Sequence, residues 1–260
     1  MEKYFWNTQL DYLKTTRTQM WNDDYFEFLV KSVWKLNRPI NIVDFGCGYG
    51  YLGTKLLPLI PEGSTYTGLD IGENLLCEAR KIFEKSPYKT NFINVDLTEY
   101  IPKQEFDLAI CQAVLRHIPS SKNILKKMID SVVPKGMVIC IEVNRVMEEA
   151  GFYANDFEHD SLEKTASLKQ KWMEELKNGG RDYKTGIKVP IYMQQLGLEN
   201  VGVRMNDFVD FASPFNDEQD YEKHAYAIKH ERGFNGVQNN DTFALSARCL
   251  VISFGNKPGA

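Results

Sequence analysis

The chain has 260 residues, enough for one large α/β domain with an elaboration or for two small units. Its 43% hydrophobic and 25% charged shares are those of an ordinary soluble globular protein. The net charge of −4, with no long lysine or arginine run, argues against a surface that tracks nucleic-acid phosphates, and no stretch nears the roughly 20 apolar residues of a membrane span.

Residues 1–11 carry neither the basic flank nor the apolar core of an export signal. Residues 1–38 read as a helical N-terminal cap, with Trp21, Phe28, Leu29, Val33, Trp34 and Leu36 near helical spacing, and Arg38-Pro39 ends it. Strands are predicted at 41–45, 64–70, 90–95, 106–111 and 136–143, with helices between them at 51–60, 75–85 and 120–132. That alternation is the signature of right-handed βαβ units on a parallel sheet. It stops after Val143. Residues 145–185 are polar and lean helical, reading as an insert or lid that ends in a turn at 177–182. A helix at 189–196 capped by Gly197, a strand at 200–205, a helix at 217–232 and a β-rich stretch at 243–254 follow. The last two strands are joined by a long excursion and so can pair antiparallel at one edge. The core would thus comprise 39–144 and 186–260.

Cys47, Cys77, Cys111, Cys140 and Cys249 are odd in number, widely spaced and free of any C-x-x-C pair. No disulfide framework and no metal site is expected, and the reading is a reduced, cytoplasmic protein.

The informative motif is Ile42-Val43-Asp44-Phe45-Gly46-Cys47-Gly48-Tyr49-Gly50, followed by Tyr66-Thr67-Gly68-Leu69-Asp70. An apolar strand runs into three glycines that let the backbone turn tightly and approach a ligand, and the next strand ends in a carboxylate suited to two ribose hydroxyls. Asp96 ends the third strand and Gln112 the fourth, so four strand ends present their groups to one crevice. A nicotinamide cofactor wants a third small residue where Tyr51 stands, because its pyrophosphate lies against that helix start. An adenosyl ligand without phosphate fits better. S-adenosylmethionine (SAM) has a ribose for Asp70, an adenine amino group for Asp96 and an amino-acid tail for the loop. Each residue also has a plainer reading. Asp44 would cap the loop, Asp96 would cap the turn before Thr98, and Tyr49 and Tyr51 would be packing residues at a helix start.

These residues, with Leu75-Leu76-Cys77-Glu78-Ala79-Arg80, Asp96-Leu97, Phe106-Asp107-Leu108-Ala109-Ile110 and Val133-Pro134-Lys135-Gly136-Met137, resemble a class I SAM-dependent methyltransferase of the Rossmann-like, small-molecule type. The resemblance is close over about 38–145. It implies a three-layer α/β sandwich whose seven-stranded, mostly parallel sheet has an antiparallel last strand. It also implies SAM as cofactor, S-adenosylhomocysteine as product, and binding by Asp44, Gly46, Cys47, Gly48, Tyr51, Asp70, Ile71, Asp96, Leu97 and Gln112. Met137 departs from the family, which often has a second glycine there; that touches a turn and not the cofactor.

Catalysis by such an enzyme is mostly alignment, and a general base is needed only when the nucleophile sheds a proton early. His117, after the fourth strand, and Glu142, at the end of the fifth, are the candidates; His159 reads as solvated surface. N-terminal aromatics such as Tyr4, Phe5, Trp6 and Tyr12 would close over the crevice or cover a sheet face. Cys111-Gln112-Ala113-Val114 is not the Asn/Asp-Pro-Pro-aromatic motif of enzymes that methylate planar amides or exocyclic amines. The expected acceptor is a small molecule, at N, O, S or C. A tRNA or protein methyltransferase and a non-catalytic SAM-binding protein are the alternatives.

Overall fold

In β1 (Asn41–Phe45) successive side chains point to opposite faces, so Ile42 enters one apolar cluster while Val43 and Phe45 enter another. The same parity runs through β4 (Phe106–Gln112) and β5 (Val132–Val143). Leu108, Ile110, Ile139 and Ile141 join Ile42, whereas Ala109, Cys111, Val138 and Cys140 join Val43. The structure, a computed structural model, describes residues 5–17, 20–145, 147, 151–154, 170–232 and 243–259.

With β2 (Thr65–Asp70), β3 (Lys89–Asn94), β7 (Glu199–Met205) and β10 (Leu250–Asn256), these strands form a seven-stranded sheet in the order β3-β2-β1-β4-β5-β10-β7. β1 to β5 pair in parallel, and β10 pairs antiparallel with both β5 and β7. The predicted architecture, with its single antiparallel last strand, is the observed one. Chain order reverses between β1 and β4, which places a ligand crevice at their carboxyl ends.

One face of the sheet is covered by α1 (Leu10–Arg17), α2 (Asp23–Phe28), α3 (Tyr51–Leu56) and α4 (Glu73–Phe83). Trp21, Phe26 and Trp34 meet edge to face there, with centroids 5.0 and 5.9 Å apart. The other face is covered by α5 (Ser121–Ser131) and α6 (Thr185–Gln195), through Ile124, Leu125, Met128, Val189 and Met193.

Two expectations need correction. The 243–254 stretch is broken at Arg248-Cys249, and only β10 completes the large sheet. Its first part, β9 (Ala244–Ala247), lies between β6 (Phe152–Ala154) and β8 (Val209–Ala212) in a small antiparallel sheet covered by α7 (Glu218–Arg232). The 145–185 segment is not helical throughout: it supplies β6, and residues 170–177 are helical. Three- and four-residue strands have too few positions to show a period of two, so they left no signal. Residues 146, 148–150 and 155–169 of the proposed lid, His159 among them, and Tyr4 lie outside the described residues. Among the described residues no disulfide joins the five cysteines, and no helix is long and apolar enough to cross a membrane.

Candidate cofactor site

Gly46, Gly48 and Gly50 take φ values of +74°, +56° and +81°, a left-handed conformation that glycine adopts without strain. A Cβ on Gly46 would stand 2.5 Å from Val114 Cγ2, whereas one on Gly48 would meet only Leu13 Cδ1, at 3.9 Å. The loop's open side is therefore at Gly48. The N–H groups of Gly46 and Cys47 both donate to the Leu69 carbonyl, at 2.7 and 3.0 Å, and tie the loop to β2. Asp70, at the end of β2, accepts from Gly48 N–H at 2.8 Å and from Gly72 N–H at 2.7 Å, one on each oxygen. Burial raises its pKa, and these backbone donors oppose the rise.

The loop opens onto a cavity of about 210 Å³. All ten residues expected at a cofactor site border it: Asp44, Gly46, Cys47, Gly48 and Tyr51 from the first strand and loop, Asp70 and Ile71 from the second, Asp96 and Leu97 from the third, and Gln112 from the fourth. Trp6, Leu13 and Arg17 close it from the N-terminal segment, and Val114, His117 and Ile118 from the turn after β4. Of these six, Trp6 had a sequence signal as an N-terminal aromatic and His117 as a titratable residue. Leu13 and Arg17 sit in a short polar helix with nothing to single them out. Asn7, Asn74, Lys14 and Glu78 pin this segment to α4, the last two at 2.6 Å.

Asp44 is 1% exposed and accepts from Tyr66 Oη. Burial, aided by the charge of Asp70, lifts its pKa to about 7 against the Tyr66 hydrogen bond and the Arg17 charge. The folded state therefore favours protonated Asp44, and this contribution to stability is lost as pH rises from about 4 through 7. The melting temperature of Asp44→Asn relative to the parent protein should rise across that window and level off above it. A difference that stays flat with pH would remove the assignment.

Cap and cavity readings coincide at Asp96, whose Oδ1 accepts from the Thr98 N–H and hydroxyl at 2.8 and 2.7 Å while the residue borders the cavity. Gln112 is oriented from the N-terminal segment: Trp21 Nε1–H donates to its Oε1 at 3.0 Å, and its Nε2 donates to Met20 Sδ at 3.1 Å. His117 borders the cavity with its ring edge-on to Trp6 and its Nε2 accepting from Arg116 Nε–H at 3.0 Å. Burial, then the charges of Arg116, Arg181 and Arg17, push its pKa down to about 2, so the imidazole is neutral and a poor proton acceptor.

Glu142 is not at the cavity. It shares the parity of Val138 and Cys140, the face opposite Asp44 and Gln112. There it is fully buried, and its Oε1 accepts from the N–H groups of Val114 and Leu115 at 2.9 and 2.8 Å. Its role is to hold the turn that forms one cavity wall.

Tyr51 and His117, which line the cavity, each carry a buried polar atom, Oη and Nδ1, without a partner among the described residues. With three carboxylates on strand ends, an open glycine backbone and apolar Ile71 and Leu97, the donor set fits an adenosyl amino acid and offers no cradle of several basic groups for a pyrophosphate.

The family described as "Methyltransferase domain" matches residues 36–180. A ubiquinone biosynthesis O-methyltransferase of Klebsiella pneumoniae is 30% identical over 106 residues, 40% of this chain and 43% of that one, so the match spans less than half of either. Among solved structures, phosphoethanolamine N-methyltransferase 2 of Haemonchus contortus, in complex with S-adenosyl-L-methionine, superposes with a TM-score of 0.60 at 13% identity, covering 96% of this chain and 58% of that one. The [4+2]-cyclase SpnF superposes with a TM-score of 0.54 at 15% identity, covering 92% and 82%. With more than half of its length matched by that family, and the glycine loop and strand-end carboxylates collected at one cavity, the chain belongs to the class I SAM-dependent methyltransferases.

Proposed function

We propose that this chain transfers a methyl group from SAM to an N, O, S or C nucleophile of a small molecule in the cytoplasm. The observation that carries the reading is the single cavity in which the glycine loop, Asp70 and Asp96 meet beneath Trp6, Leu13 and Arg17. Asp70 would take the ribose hydroxyls on the lone pairs that Gly48 and Gly72 leave. Ile71 and Leu97 would pack on the adenine, with Asp96 beside its amino group. Asp44 and the Gly46 backbone would hold the amino-acid tail, whose ammonium complements a buried carboxylate. Bound there, SAM supplies an electrophilic methyl: the nucleophile–carbon bond forms as the carbon–sulfur bond breaks, sulfur keeps the pair, and S-adenosylhomocysteine leaves.

The protein's part is alignment and exclusion of water, for which the N-terminal segment that brings Trp6, Leu13 and Arg17 to the cavity would act as a cap over the cofactor. Neutral His117 and remote Glu142 leave no base poised in the cavity from the two candidates, which suits a nucleophile that needs none before transfer. SpnF, a [4+2]-cyclase, shares this fold, so the fold alone does not decide the chemistry.

Calorimetric titration of the folded protein with S-adenosylhomocysteine should give one site per chain. Incubation with methyl-labelled SAM and a metabolite extract should move label into a small product. No binding of either ligand would overturn the cofactor assignment; binding without any label transfer would leave a non-catalytic SAM-binding protein.

A further inference from the structure

A second, smaller pocket of about 40 Å³ adjoins the cofactor cavity, and four arginines line it: Arg17, Arg116, Arg145 and Arg248. They come from four separated parts of the chain: the end of α1, the turn after β4, the segment leaving β5 and the β9–β10 connection. No local sequence feature gathers them. The sheet does, because antiparallel β10 sets Leu250 opposite Val143 and so brings the residues flanking both strand ends together. Tyr12 and Thr16 complete the wall from the N-terminal segment, and no carboxylate occurs among the described residues that line it.

Two of these arginines are held in place by contacts of their side chains. Arg248 is 7% exposed, and its Nε–H donates to buried Asp210 at 3.1 Å, which is itself bonded by His224. Arg116 is braced on His117. Arg17 and Arg116 also act at the cofactor cavity, where their charges and that of Arg181 add to burial in lowering the pKa of His117. Guanidinium forks match the oxygens of phosphate and carboxylate, and such bonds strengthen in a partly buried site. A pocket of this size holds about three waters, or one oxyanion. Arg17 borders both spaces.

We propose that this pocket binds the anionic group, phosphate or carboxylate, of the methyl acceptor, and so sets its nucleophile across Arg17 from the cofactor. The identity of the ligand as acceptor rests on the methyl-transfer reading; the existence of the anion site does not. A pocket sized for one oxyanion, on a chain of net charge −4, favours a small acceptor over a polynucleotide.

The test titrates the full chain, saturated with S-adenosylhomocysteine, with inorganic phosphate and separately with acetate. At least one should bind, and Arg145→Gln should weaken it by about tenfold or more, Arg145→Lys by less, with S-adenosylhomocysteine affinity unchanged in both. On the unaltered protein the same anion should protect Arg116 and Arg145 from phenylglyoxal, read by mass spectrometry, which needs no variant to fold. Stronger binding of phosphate identifies a phosphorylated acceptor, and of acetate a carboxylic one. Neither anion binding, or binding and protection that do not involve Arg145, would overturn the site even where S-adenosylhomocysteine binds. Arg145-dependent anion binding without any S-adenosylhomocysteine binding would overturn the acceptor assignment along with the methyl-transfer reading. An RNA oligonucleotide that binds far more tightly than phosphate through Arg145 would overturn the small-molecule acceptor.

Discussion

Asp70→Ala should weaken S-adenosylhomocysteine binding by about 100-fold or more, close to 3 kcal/mol. The size follows from how much one carboxylate does. It would lose the charged acceptor proposed for the ribose, and it would also free the two loops that Asp70 ties together, since Gly48 and Gly72 each donate to one of its oxygens. A buried N–H without an acceptor costs about 1–3 kcal/mol. The ligand-free variant should therefore melt earlier as well, by roughly 4–12 °C for a loss of 2–3 kcal/mol. Asp70→Asn keeps the shape and one acceptor and should fall between. Calorimetry on variants shown to be folded by circular dichroism decides the matter. An affinity for Asp70→Ala within about threefold of the parent value would remove Asp70 from the cofactor site.

Glu142 gives the second large effect, and it is one of stability. Truncation to alanine strips the acceptor from Val114 and Leu115 and opens a cavity beneath the β4 turn, at a cost of about 3–5 kcal/mol. Glu142→Gln keeps an acceptor in place and spares the burial of a carboxyl whose second oxygen has no partner among the described residues. It should melt within a few degrees of the parent protein. Glutamine cannot take up a proton, so a catalytic base lost in this way would lower turnover by about 10²–10⁴-fold. With an acceptor from the labelling screen, Glu142→Gln should keep turnover within about threefold while Glu142→Ala unfolds early. A stable glutamine variant with turnover down a hundredfold would restore Glu142 to catalysis.

The contrast between these residues shows what the sequence could carry. Asp70, Asp96 and Gln112 are ends of strands that follow one another in the chain, so their common crevice is implied by βαβ topology before any side chain is placed. The glycine loop is equally local, since three left-handed positions in five residues leave little choice of residue. Glu142 also ends a strand, but which face it takes depends on the pairing of Gln112 with Ile141, and a register is a relation between two strands that neither one encodes alone. The same holds for the small sheet, where β6, β8 and β9 are distant in the chain and too short for a pattern. Leu13 and Arg17 became visible only when α1 was seen lying over the glycine loop. Arg17, Arg116, Arg145 and Arg248 are likewise gathered by tertiary structure.

The place of β10 between β5 and β7 has a consequence for biosynthesis. β5 is the longest strand, largely apolar, and its free side is covered only when residues 250–256 arrive; β7 then gains its partner in the large sheet. Until that strand leaves the ribosome, the nascent chain exposes an unpaired apolar edge, a template for association with its neighbours. The chain is thus exposed to aggregation until residues 250–256 are made, long after the glycine loop and the carboxylates around it.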